Sequence, residues 1–98
     1  MSIKRMGAGV IVLGLTMAAS LPGARAADPN FCGNYARMTL NQVRIASEYG
    51  NCAYRAVGPR WSNNFNVHYN WCLGASYDAA ESERFTRKGF LESCTHGG

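Results

Sequence analysis

Four cysteines in a short chain behind a secretory leader constrain this fold more than any other feature. Cys32, Cys52, Cys72 and Cys94 all lie beyond residue 26. The stretch before them has the three parts of a signal peptide. Met1-Ser-Ile-Lys4-Arg5 is a positive start, and Met6 to Ala19 is an uncharged run of fourteen residues, short of the roughly 18–20 that span a bilayer. Leu21 to Ala26 then adds a helix-breaking Pro-Gly and an A-x-A site, Ala24-Arg25-Ala26. Cleavage after Ala26 puts alanine at both small-residue positions; a cut one residue later would put Arg25 at one of them. The alternative, an uncleaved anchor, suits neither the short apolar run nor that site. Cys32 lies too far past the site to become a lipid-modified N-terminus. The expected organisation is a signal peptide over 1–26 and a disulfide-stapled helical domain over 27–98. That domain has no transmembrane span and is expected to be periplasmic or secreted.

A chain of 72 residues buries only about 60% of its unfolded surface, so its core is marginal. Its few aliphatics are supplemented by all eleven aromatics of the sequence, and buried Tyr and Trp need partners for their polar tips. In an exported small domain, four cysteines read as two disulfides. Zinc is the competing use, because His68 and Cys72 are four residues apart on an expected helix, but no C-x-x-C pair accompanies them. The formal charge of +4 shrinks to about +1 once the leader is removed, with seven Lys and Arg against six Asp and Glu. Nucleic acid is therefore not an expected partner.

Three segments carry helical punctuation. Asp28-Pro29 is a cap followed by proline at the first helical position. The helix it opens is expected to stop at Gly50-Asn51, with Cys32, Tyr35, Ala36, Thr39, Val43, Ala46 and Gly50 on one face. A second helix is expected from about Ser62 to Leu73, capped by Ser62 or Asn63. In a third, Asp78 and Glu81 resemble a capping box, and Tyr77, Ala80, Arg84, Arg87, Leu91 and Cys94 share a face. The two arginines there either pack their stems and reach water or pair with Glu81, Glu48 or a carbonyl. Gly89 weakens this helix and can bend it, in which case Phe85 and Phe90 fold back over the core. The expected fold is an all-α, three-helix, up-down-up domain. In it Cys32–Cys72 and Cys52–Cys94 join matching heights, whereas Cys32–Cys52 would span about 30 Å along one helix.

Catalysis has little to work with. Oxidised cysteines, two histidines (His68 and His96), and carboxylates explained by a helix start leave no nucleophile beside a base. There is no phosphate-cradling glycine loop, EF-hand or H-E-x-x-H, and no cofactor is expected. The informative stretch runs from Asn51 to Leu73. Gly58-Pro59 fixes a turn that delivers Arg60 and Trp61 beside Tyr54, Arg55, Asn63 and Asn64. Aromatic faces with Arg and Asn donors suit a protein partner or a carbohydrate; the competing reading puts Trp61 and Trp71 in an aliphatic-poor core with an arginine stacked on a ring. Phe85 and Phe90 both lie off the buried stripe; without a bend at Gly89 they are exposed, and Phe85 extends the candidate docking surface.

The Arg60-Trp61 pair, the run His68-x-x-Trp71-Cys72 and the acidic-basic helix ending at Cys94 together resemble short secreted four-cysteine proteins of alphaproteobacteria. That resemblance spans most of residues 31–94. It implies a cell-envelope or extracellular setting and carries over no functional residue. The expected function is a non-enzymatic binding or accessory protein docking on a larger envelope complex through Arg55, Arg60, Trp61 and Phe85. The alternatives are a glycan-binding module using Trp61, Tyr54, Asn63 and Asn64, and a secreted peptide effector or inhibitor.

Overall fold

The structure, a computed structural model, describes residues 25–96. The signal-peptide reading therefore lies outside the described residues, apart from Arg25 and Ala26. Four helices follow in order: α1 (Pro29–Glu48), α2 (Gly50–Ala53), α3 (Phe65–Leu73) and α4 (Tyr77–Thr95), with a 3₁₀ turn at Pro59–Trp61 between α2 and α3. No described helix is long and apolar enough to cross a membrane.

The start of α1 is the one the sequence indicates. Asp28 accepts from the Phe31 amide at 2.8 Å, and Pro29 occupies the first position, where a missing N–H costs nothing. Its end differs. The chain leaves the helix through extended backbone at Tyr49, and Gly50 begins a short helical turn rather than a left-handed cap. That turn places Cys52, which is buried.

The expected caps of the later helices are also corrected. Ser62 and Asn63 lie before α3, and Asn64 is the cap, its Oδ1 accepting from the Asn66 amide at 2.9 Å. The start is delayed because Ser62 closes the preceding turn onto the Pro59 carbonyl and offers its own carbonyl to His68. For α4 the cap is Ser76, which accepts from the Ala79 amide, in place of the Asp78–Glu81 box. Ser76 is held extended by an antiparallel bridge to Ala26, flanked by Ala27 N–H to the Ala75 carbonyl at 3.0 Å. Helix α4 runs through Gly89 without interruption to Thr95.

The disulfides are Cys32–Cys72 and Cys52–Cys94, as expected from helix ends at matching heights. Each is the centre of its own small core. Around the first lie Ala27, Tyr35 and Ala80, with Phe31, Tyr69 and Tyr77 packed against them. Around the second lie Ala46 and Leu91, with Ile45, Ala56, Trp61 and Phe90. Helix α1 is the common partner, packing against both α3 and α4. Apolar residues too few for one continuous core are thus concentrated around two covalent links.

Candidate functional site

Between the two cores, the seam of α1 and α4 is polar. Arg87 enters it with 1% of its surface exposed. Its Nε donates to Gln42 Oε1 at 2.7 Å, its Nη2 to Thr39 Oγ1 at 2.7 Å, and its Nη1 to Glu83 Oε2 at 3.4 Å. The Tyr35 ring lies 5.2 Å from the guanidinium carbon. The neutral partners are themselves held: the Thr39 hydroxyl donates to the Tyr35 carbonyl at 2.9 Å, and the Gln42 amide to the Arg84 carbonyl at 3.2 Å. A buried cation requires this degree of satisfaction, because an unpaired one costs several kcal/mol.

Above this layer a cleft of about 340 Å³ opens, lined by Tyr35 of α1, Val67, His68 and Trp71 of α3, Glu83 and Arg87 of α4, and Pro59 and Arg60 of the 3₁₀ turn. Its apolar wall is aromatic. Trp71 stacks on Tyr35 with centroids 5.7 Å apart, yet remains 45% exposed. The opposite rim is ionic. Arg60 grips Glu83 with two nitrogens, Nε to Oε2 and Nη2 to Oε1, the latter at 3.2 Å. Glu83 therefore serves both Arg60 and Arg87.

Local sequence explains how Arg60 reaches Glu83. Gly58 adopts φ 95° and ψ 176°, a conformation open essentially to glycine alone, and Pro59 then starts the turn. The chain is thus redirected so that Arg60 faces α4 and Trp61 lands on Phe90, centroids 4.9 Å apart. His68 is buried, with Nε2 donating to the Ser62 carbonyl at 2.6 Å. Burial is the main reason its pKa falls below the ordinary value of 6.5, opposed by the Ser62 contact. Cys72 is in a disulfide, so the His68–Cys72 spacing makes no ligand pair. Among the described residues no three His, Cys, Asp or Glu side chains gather around a common point.

The residues singled out from sequence are dispersed. Arg60 alone lines the cleft. Trp61 is half-buried in the second core, and Arg55 lies over the Phe90 ring at 4.9 Å. Asn63 is exposed, and Asn64 is committed to capping α3. Tyr54 is 73% exposed on the link after α2. Phe85 is 57% exposed with the Arg84 guanidinium over its ring at 4.5 Å, while Arg84 pairs with Glu81. Phe90 packs against the second core from a helix that is continuous through Gly89, whereas Phe85 stays exposed.

Sequence reasoning missed Glu83, Gln42 and Thr39 as the partners of Arg87. A signal existed. Arg87 fell on a buried stripe, and Glu83 lies one helical turn before it. Trp71, weighed mainly as core, is the exposed aromatic of the cleft. The chain matches no family model, no curated protein and no solved structure.

Proposed function

We propose that the protein is an exported, non-enzymatic accessory protein of the cell envelope, periplasmic or secreted, that docks on a larger protein complex through the aromatic cleft. The observation that carries this reading is Trp71, nearly half exposed beside two arginines in a domain short of apolar surface. Trp and Arg are the side chains that most often dominate protein interfaces. The leader over residues 1–26 supports export, and two disulfides suit an oxidising compartment. Binding is favoured over chemistry because His68 is hydrogen-bonded to backbone and Glu83 is ion-paired twice. The three longer helices are read as up-down-up. In support, Cys32 in the first turn of α1 joins Cys72 at the end of α3, and α1 meets α4 in the same order along both, Tyr35 with Ala80 and Ala46 with Leu91. The glycan reading is weaker, since Trp61 packs against Phe90 and Asn64 is a cap.

A photo-crosslinking amino acid in place of Val67, in cells, tests the docking reading. Val67 lines the cleft and is 40% exposed. One adduct of discrete mass is expected, lost on Trp71→Ala with helix content retained by circular dichroism, and absent when the crosslinker replaces Met38 outside the cleft. Adducts from both positions, or from neither, would refute it, as would binding on a glycan array with no protein adduct.

A further inference from the structure

We propose that the cleft receives an acidic peptide segment of the partner, a carboxylate side chain beside an aromatic one, with the carboxylate on Arg60 and the ring on Trp71. This rests on the docking reading above and names the chemistry of the segment.

Charge is the first argument. The cleft is lined by two guanidinium groups, Arg60 and Arg87, and by one carboxylate, Glu83. His68, the one imidazole of the lining, is buried and bonded to the Ser62 carbonyl, and burial lowers its pKa, so it adds little positive charge. The lining therefore carries a surplus of one positive charge, held where water is partly excluded and a counter-charge counts for more than on open surface. Donor geometry adds a second argument. Arg60 uses Nε and Nη2 on Glu83, which leaves Nη1 with no partner among the described residues. Its side chain is half exposed, so an incoming carboxylate reaches it without disturbing the core. Arg87 is fully engaged beneath and holds the field positive. The size of the cleft fits as well. A volume of about 340 Å³ lies at the low end of ligand pockets and suits one or two side chains. Val67 and the outer surface of Trp71 offer the apolar wall against which one of these would rest. A carboxylate alone would leave that wall bare, and an apolar group alone would leave the cation uncompensated.

The test uses the oxidised protein without its leader, labelled with ¹⁵N, and the probe acetyl-Ala-Glu-Phe-Ala-amide. Amide shifts are expected at Val67, His68, Trp71 and Arg60, with saturation in the millimolar range. Replacing Glu by Gln in the probe should weaken binding about tenfold, the loss of one charge-assisted hydrogen bond. Replacing Phe by Ala should weaken it by a similar factor. In the protein, Arg60→Gln should erase the preference for Glu over Gln, and Trp71→Ala the preference for Phe over Ala. Equal binding of the Glu and Gln probes, shifts centred elsewhere, or no binding at 10 mM would overturn the proposal. So would 4-phenylbutyrate binding as tightly as the peptide, which would make the cleft a site for free acids. A Val67 adduct in cells with no Glu preference in vitro would sink this inference and leave the docking reading standing.

Discussion

Removing a neutral neighbour of Arg87 should destabilise the domain more than removing Arg87 itself. Each change leaves different groups unsatisfied. Gln42→Leu keeps a guanidinium that is 1% exposed and deletes the acceptor 2.7 Å from its Nε. Hydrogen bonds to charged groups contribute about 1.5–3 kcal/mol, and the buried donor keeps its full desolvation cost. A loss of about 2–3 kcal/mol is expected. Thr39→Val, which deletes the acceptor at 2.7 Å from Nη2, should cost a similar amount by the same principle. Arg87→Met is different. It strands the Gln42 and Thr39 oxygens, at about 1–3 kcal/mol each. It also removes a cation whose burial costs several kcal/mol, and Glu83 retains Arg60. The two effects nearly cancel, and a net loss of about 1 kcal/mol or less is expected. Combining Thr39→Val, Gln42→Leu and Arg87→Met removes every unsatisfied group and should stabilise the domain by about 1–4 kcal/mol, as apolar replacement of buried ionic clusters can. Urea unfolding of the disulfide-intact proteins, followed at 222 nm, measures all four. For a domain of this size each kcal/mol moves the midpoint by about 1 M. If the triple variant is less stable than the parent by 2 kcal/mol or more, the polar layer is a net source of stability and the reasoning fails.

Three further outcomes follow from local features. Gly58→Ala should destabilise by about 1–3 kcal/mol, since φ 95° with ψ 176° excludes a Cβ. Gly89→Ala, in open helical surface, should stabilise by about 0.5–1 kcal/mol; urea midpoints equal to the parent's for the two would refute both. His68 has its pKa lowered in the folded state, chiefly by burial, so the unfolded chain binds its proton first and stability should fall as pH drops below 6.5. His68→Gln should flatten that slope, and an unchanged slope would assign it to other groups. Serine at both Cys32 and Cys72 opens a loop of 40 residues, a loss of about 4 kcal/mol by chain entropy. Added to the loss of the buried sulfurs, this should unfold the domain at 37 °C as read by circular dichroism.

Helices and disulfides were legible because both are written in short-range terms. The spacing from Cys32 to Ala46 marks a face, Asp28-Pro29 marks a start, and helix ends at matching heights leave one sensible pairing of cysteines. Caps were less legible where several candidates stood together. Ser62, Asn63 and Asn64 can each cap a helix, and Asn64 prevails because the Ser62 carbonyl is taken by His68, six residues on. Likewise Ser76 caps α4 beside Ala75, whose carbonyl accepts from the Ala27 amide, a contact across about fifty residues that no local pattern records. Within the site, Gly58-Pro59 announced the turn that presents Arg60. The role of Trp61 was not legible: on sequence it is as good an anchor as Trp71, and only the pairing of Cys52 with Cys94 brings Phe90 under it. Trp61→Ala would therefore confound binding with stability, at about 3 kcal/mol or more for an aromatic removed from a core.

The cleft follows from unequal helix lengths. Helices α1 and α4 run 20 and 19 residues, while α3 has nine, about 14 Å of cover for a seam of nearly 30 Å. Helix α3 is bonded at Cys72 to the start of α1, so its cover is spent at that end. At the other end the second core is closed by Trp61 and Ala56 from the link after α2. Between the two covers no helix lies over the seam: Arg87 and Thr39 are buried within it, and Arg60 and Trp71 stand half exposed above. Arg87 and Glu83 form the polar base of an opening whose other walls include Tyr35 and Trp71, and Thr39 and Gln42 hold Arg87 in place. The buried arginine and its partners thus lie directly beneath the cleft. It follows that the triple variant that stabilises the fold should lose the carboxylate preference of the cleft only in part, because Arg60 survives, and should gain affinity for the Gln probe as the floor turns apolar.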